Sequence, residues 1–303
     1  MAVRPGNFQQ NDTLNRYLLF FPRNANALND VHSFTGEEAL SQPYRYTIRF
    51  TSPNANIPPD AILNQKAEFL LRAPNPEASW HGQSSWLPVR QINGTITAFS
   101  RVKSSSDEAL YECVLEHELA LLNRNFRSAV YTDVTVPEVV TQLMKESRYF
   151  EGFNIDFDSL RCTYPRREMI IQWKETDLEF IRRLLAEVGI WFRLENHSTT
   201  PTETVVIFGD SASRYIISEK KFPFVRRSGM TSHDEYVTEL EERHALIPEN
   251  IMVRSYNYRD PLSPQADKTI VSNNIPGGIT TGSEYHHSDH FLQGGDFYGE
   301  ESE

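Results

Sequence analysis

The chain has 303 residues, with 41 acidic against 30 basic side chains and a net charge of −11. That length suits about two domains, and that balance excludes a protein whose main task is to coat nucleic acid, which needs a basic surface. With Cys113 and Cys162 as the only cysteines there is neither a disulfide framework nor a CxxC pair, and both read as small buried hydrophobes.

The first ten residues hold no apolar run that would make a signal peptide, so synthesis in the cytoplasm is expected. Tyr17-Leu18-Leu19-Phe20-Phe21 is too short to span a bilayer. From there to about residue 118 the signals are strands. Tyr44 to Phe50 places Tyr44, Tyr46, Ile48 and Phe50 on one face and Arg45, Thr47 and Arg49 on the other, the alternation of a half-buried strand. Asp60 to Asn64 reads as a helical turn. Phe69–Arg72, Ile92–Phe99 and Leu110–Leu119 supply further strands. Short strands separated by turn signals predict a β-barrel or sandwich. The stretch from Ala73 to Pro88 reads as a long loop. Its Trp80 and Trp86 either face a partner or fold back over the barrel, the second being the plainer reading.

The pattern then turns mixed. Thr135 and Glu138 form a capping box with Pro137 in the first turn, and Val139, Val140, Leu143 and Met144 give the helix its apolar face. Met169 to Trp173 reads as a strand. Thr176 and Glu179 make a second capping box, and Leu178, Ile181, Leu184, Leu185 and Val188 recur at helical spacing. Gly189 stands where a left-handed residue ends a helix at least cost, and Ile190 to Glu195 reads as the next strand. His197 to Thr204 is a polar hairpin tip, and Val205 to Asp210 a strand ending in a turn. From Tyr236 alternation returns, with Val253, Ser255 and Asn257 opposite Arg254, Tyr256 and Tyr258.

Few residues suggest chemistry. Glu175, Asp177 and Glu179 could serve as glycosidase carboxylates, but acids at a helix start are explained by the free N–H groups and the dipole there. His286 and His290, with Asp289, have transition-metal spacing, yet Gly282, Gly294 and Gly295 suggest solvated loop histidines and no native metal site. His117-Glu118-Leu119-Ala120-Leu121 begins like a zinc-protease motif but lacks the second His and reads as a strand end. No nucleophile elbow, P-loop or dinucleotide fingerprint occurs. Asn93-Gly94-Thr95 and Asn196-His197-Ser198 match the glycosylation pattern without a secretory context.

Three segments together carry a family resemblance: the run Trp173 to Phe192 around the second capped helix; Phe34 to Pro43, where a Gly, a Glu, a Leu and Ser-x-Pro lead into the Tyr44–Phe50 strand; and Asn257-Tyr258-Arg259-Asp260-Pro261. These resemble the VgrG proteins of bacterial type VI secretion systems, which in turn resemble the central hub of contractile phage tails. The resemblance implies a β-rich α+β fold: a first hub barrel over 1–118, an α+β domain over 119–220 containing the helix 176–188, and a second, related barrel, whole or incomplete, over 221–303. It also implies a structural, non-enzymatic spike component that caps the hexameric tube protein (Hcp) as a homotrimer and is ejected toward a target cell. A tip protein and effectors are possible companions, and no cofactor is implied. The spike β-helix and any effector domain of the family lie beyond the matched part. The same residues fit a phage or phage-like injection hub. The alternative from another class is a hydrolase using Glu175 and Asp177, or a metal at His286 and His290.

Overall fold

The computed structural model describes residues 15–21, 29–75, 85–150, 154–200, 202–215, 221–224, 237, 239–254, 267–271 and 280–287. The N-terminal strands are β1 (Tyr17–Phe20), β2 (Asp30–Glu37), β3 (Arg45–Ser52), β4 (Lys66–Pro74), β5 (Trp86–Ser104) and β6 (Ala109–Glu116). They close into a barrel in the order β1-β2-β3-β6-β5-β4, with every ladder antiparallel. The alternation along β3 decides which face turns inward: Tyr46, Ile48 and Phe50 are buried in the barrel core with Phe69 and Tyr111. Closure depends on β5, which is 19 residues long. Its first half pairs with β4 and its second half with β6, and register shifts after Ile96 and Arg101 bend it around the corner. Gly94 stands at the crossing, where a Cβ would lie 2.3 Å from the Glu116 carbonyl oxygen; a side chain there would open the barrel. The expected turn at Asp60 is a 3-10 turn, Pro59–Ala61, and Ile62 behind it is buried in the barrel core.

A second core follows. It is built by β7 (Phe126–Val134), α1 (Val136–Glu146), β8 (Ile155–Ser159), β9 (Arg167–Thr176), α2 (Asp177–Glu187), β10 (Trp191–Asn196) and β11 (Thr204–Gly209). β7 and β9 form an antiparallel ribbon, and β10-β11-β8 a three-stranded sheet whose β11–β8 ladder is parallel. Both helices start with the capping boxes read from the sequence: Thr135 and Glu138 exchange hydrogen bonds, as do Thr176 and Glu179. Gly189 has φ +70, the left-handed conformation that ends α2 and turns the chain into β10. Val139, Val140, Leu143 and Met144 of α1 meet Leu178, Ile181, Leu184 and Leu185 of α2 in one cluster with Phe192 and Phe208. Arg167 is fully buried and pairs with Glu187 at 2.8 Å.

The C-terminal strands β12 (Asn250–Arg254), β13 (Asp267–Val271) and β14 (Ser283–His287) form a sheet in the order β13-β12-β14, antiparallel on one side and parallel on the other. None of its described side chains is buried. The Asn257–Pro261 segment lies outside the described residues.

Three local expectations are corrected. The chain from His117 to Leu121 does not continue β6. The strand ends at Glu116, and Glu118–Arg124 is a 3-10 helix, because the His117 ring accepts the Leu119 N–H and turns the backbone. Cys162 is exposed, held outward by a turn in which Arg161 and Cys162 donate their N–H groups to Asp210; Cys113 is buried as expected. His286 lies on a strand rather than in a loop. Trp86 begins β5 with the Arg72 guanidinium 5.8 Å from its ring; Trp80 lies outside the described residues.

Leu184 is completely buried. Leu184→Ala should therefore destabilise the protein by roughly 2–5 kcal/mol, and Thr176→Ala by about 1 kcal/mol through loss of the cap. Chemical denaturation measures both, and an unchanged midpoint for Leu184→Ala would contradict the packing described.

Candidate functional site

The two carboxylates that could have been catalytic are separately neutralised. Asp177 is buried. Its Oδ1 accepts from Arg127 Nε at 2.8 Å and Gln172 Nε2 at 2.9 Å, and its Oδ2 from Asn125 Nδ2 at 3.2 Å. Arg127 reaches onward to Glu146 at 3.2 Å, so one guanidinium ties β7 to the end of α1 and the start of α2. Glu175 is paired with Arg183 at 2.7 Å. Glu179 spends its carboxylate on the cap. A polar cleft of about 440 Å³ borders Asp177, lined by Arg124, Arg127 and Glu146 among others. Each carboxylate is already engaged by an arginine, so the arrangement serves as a clamp.

His286 is exposed and its Nε2 lies 3.0 Å from Glu284 of the same strand; His290 lies outside the described residues. Among the described residues no group of three His, Cys, Asp or Glu side chains is placed to hold a metal ion. No helix among them is long and apolar enough to cross a membrane.

The densest polar arrangement is where the barrel meets the second core. His117 is fully buried. Its Nδ1 accepts from the Leu119 N–H at 3.0 Å and its Nε2 lies 2.9 Å from Thr204 Oγ1. With Nδ1 an acceptor, the single proton of a neutral ring sits on Nε2 and is donated to Thr204. Thr204 then donates its hydroxyl to Glu118 at 3.3 Å. Lys66 of β4 lies 3.6 Å from Glu118 and 3.0 Å from Glu203. Nearby, Asn93 donates to Asn196 at 3.1 Å and Asn196 to the Gln91 carbonyl at 2.9 Å. The backbone of Ser41 bonds that of Phe192 at 2.8 Å. Strands β4 and β5 and the lead-in to β3 are thus stitched to the β10–β11 hairpin. The two apparent glycosylation asparagines are partners in this junction, and Asn93 is buried. Sequence reading missed the junction because its members lie far apart in the chain; a His-Glu pair just after a strand and an Asn in each sheet were the only hints.

A second feature is apolar. On the face of the β7–β9 ribbon turned away from the helices, Phe126, Val130, Met169, Ile171 and Trp173 are exposed, the last by 67%.

The β-rich fold, with a closed six-stranded barrel followed by a small helix-bearing module, is that of a tail-hub-like protein. The chain belongs to the phage tail baseplate hub (GPD) family, whose model matches residues 37–297. Among curated relatives it is similar to the type VI secretion system spike protein VgrG5 of Pseudomonas aeruginosa, 28% identical over 76% of this chain and 27% of that protein. It is also similar to the actin cross-linking toxin VgrG1 of Vibrio cholerae, 23% identical over 76% of this chain and 20% of that protein. The chain thus spans about a quarter of these relatives. Among solved structures it resembles the E. coli c3393 protein, a type VI secretion component described as similar to the T4 bacteriophage tail proteins gp27 and gp5. That match has 35% identity and a TM-score of 0.57, and covers 69% of this chain and 53% of that one.

Burial pushes the His117 imidazole down from 6.5 to about 3. The folded protein therefore binds fewer protons than the unfolded chain in that window, and stability present above pH 6.5 is lost as pH falls through it. Glu118 shifts upward, chiefly by burial and, secondarily, through Glu203, with Lys66 and Thr204 opposing; its protonation favours the folded state, but only near and above its ordinary value of 4.5. His117→Gln should accordingly flatten the decline in melting temperature between pH 6.5 and 5. An unaltered acid slope would contradict the buried neutral ring.

Proposed function

We propose that this chain forms the hub part of a spike protein in a contractile injection apparatus, of the type VI secretion kind. In this reading residues 1–118 and 221–303 form two related barrels and residues 119–220 a module on the outside. Three copies then place six barrels around one axis, which matches a threefold spike to the hexameric tube protein (Hcp). The assembly is expelled toward a target cell, with a tip protein and effectors as further partners.

The observation that carries this reading is the closed antiparallel barrel, continuous through a buried polar junction with the helical module, in a chain whose family match runs from residue 37 to 297. Support for strands in the last third of the chain comes from the three-stranded sheet β13-β12-β14. The type VI assignment over a phage hub rests on the names of the curated relatives.

Mixing the purified chain with hexameric rings of a type VI tube protein should yield a complex that sediments faster than either component. Rings that remain unbound at every ratio would contradict the hub reading. We further expect no turnover of peptidoglycan, lipid or peptide substrates. Hydrolysis abolished by Glu175→Gln would establish the enzyme alternative instead.

A further inference from the structure

His117 stands where the chain crosses from one core to the other. β6 ends at Glu116, and the 3-10 helix Glu118–Arg124 begins at once, with the His117 ring as its cap. Leu119 and Leu122 of that helix belong to the buried cluster of the module, Leu115 belongs to that of the barrel, and the two clusters share no residue. The ring lies between an aromatic side chain from each. Tyr44, packed against the barrel core, meets it edge-on at 5.3 Å, and Phe150 of the module core stacks on it at 6.1 Å. Around the ring the two parts meet through polar groups. Gln91, Asn93, Glu118 and Thr204 are buried there, and Gln91 Oε1 has no partner among the described residues. When such an interface opens, water replaces its hydrogen bonds, and relative motion of the parts is the ordinary expectation.

The bonding of the ring leaves no place for a second proton. Nδ1 accepts the Leu119 N–H at 3.0 Å, and Nε2, 2.9 Å from Thr204 Oγ1, carries the one proton of the neutral ring. A proton added at Nδ1 would point at the Leu119 N–H and abolish the cap. Turning the ring over exchanges the two nitrogens and leaves the same conflict, since both are donors in the imidazolium. None of the charged or titratable groups around it relieves this. Tyr44, from the lead-in to β3, gives its hydroxyl proton to the Asn93 carbonyl. Glu118 accepts from Thr204 and lies 3.6 Å from Lys66 at the start of β4. Glu203, before β11, holds Lys66 at 3.0 Å. Glu116 is paired with Arg45 at 3.3 Å.

We propose that the junction is a proton-operated latch: a proton on His117 releases the barrel from the module at the Glu116–Glu118 crossing while both cores stay folded. The latch belongs to the chain itself and stands whether or not the chain serves as a hub. Its sign follows from the two environments of the ring. An imidazole in water takes its proton near 6.5, and burial lowers this to about 3 in the closed junction. The closed form therefore has its full stability above pH 6.5, and below that the opening equilibrium rises about tenfold per pH unit. Glu118 acts in the opposite sense. Burial raises it from 4.5, against Lys66 and with Glu203, so a proton taken up there favours the closed form and moderates the rise.

Hydrogen exchange followed by mass spectrometry, with times corrected for the intrinsic pH dependence of exchange, reads the opening. Between pH 7.5 and 5.5 the junction amides of Ser41, Leu119 and Phe192 should exchange faster in the unaltered chain. The ladder amides of β3 and β6 and the amides of α2 should keep their protection. Glu118→Gln removes the opposing titration and keeps an acceptor for Thr204; there the acceleration should reach about tenfold, the ratio that one proton on the ring produces over this interval. His117→Gln should show no acceleration. Unchanged junction protection in the unaltered chain, acceleration that persists in His117→Gln, or joint loss of protection across β3, β6 and α2 would overturn the proposal. If His117→Gln does not fold, the first and third outcomes still decide, because both are read from the unaltered chain.

Discussion

The structure depends on one buried polar connection. The chain of hydrogen bonds from Leu119 N–H to His117, from His117 to Thr204 and from Thr204 to Glu118 crosses from the end of the barrel into the β10–β11 hairpin. Each such bond contributes only about 0.5–1.5 kcal/mol net, but leaving one member unpaired in the interior costs its full desolvation. The junction therefore sets a geometry more than it adds stability. A barrel and a helical module rotated relative to each other would strand several buried groups at once, so intermediate arrangements are disfavoured. The Asn93–Asn196 bond, the Lys66 bridge and the Ser41–Phe192 backbone pair fix the remaining degrees of freedom.

That fixed geometry determines what each element presents outward. The β10–β11 hairpin is turned toward the barrel, α1 and α2 fill the space between the sheets of the module, and one face of the β7–β9 ribbon is left outermost. Arg127 holds the ribbon to both helices through Glu146 and Asp177. The carboxylates that might have done chemistry are thus consumed in joining elements. In the proposed hub the barrel is joined to the module by the buried junction, and these pairs hold the module together in turn, so no flexible linker separates the two.

What was legible in the sequence was local. Thr135 with Glu138, Thr176 with Glu179, and Gly189 after Val188 announce helix ends because caps are decided by neighbours within one turn. The alternation at Tyr44–Phe50 announced a half-buried strand for the same reason. His117 was misread, and the burial of Asp177 was not foreseen. His117 looked like a strand end and proved to be the cap of a 3-10 helix; Asp177 is the first-turn acid it was read as, and is buried as well. Both depend on residues at a distance, Thr204 for the first and Arg127 for the second, which no local pattern reveals. The apolar ribbon face could have been suspected from Met169, Ile171 and Trp173 alternating with Ile170 and Gln172, but a strand with apolar residues on both faces reads equally well as one buried twice over. The roles of Asn93 and Asn196 emerged only from their contact.

The most direct test of the account is the structure of this chain bound to the tube ring, determined by electron cryomicroscopy. The account predicts three copies on one hexamer, with the barrel of residues 17–116 alternating around the axis with a second barrel built from the C-terminal strands, and the helical module outside. Six copies on the ring, or a C-terminal sheet that stands apart from the ring, would contradict it.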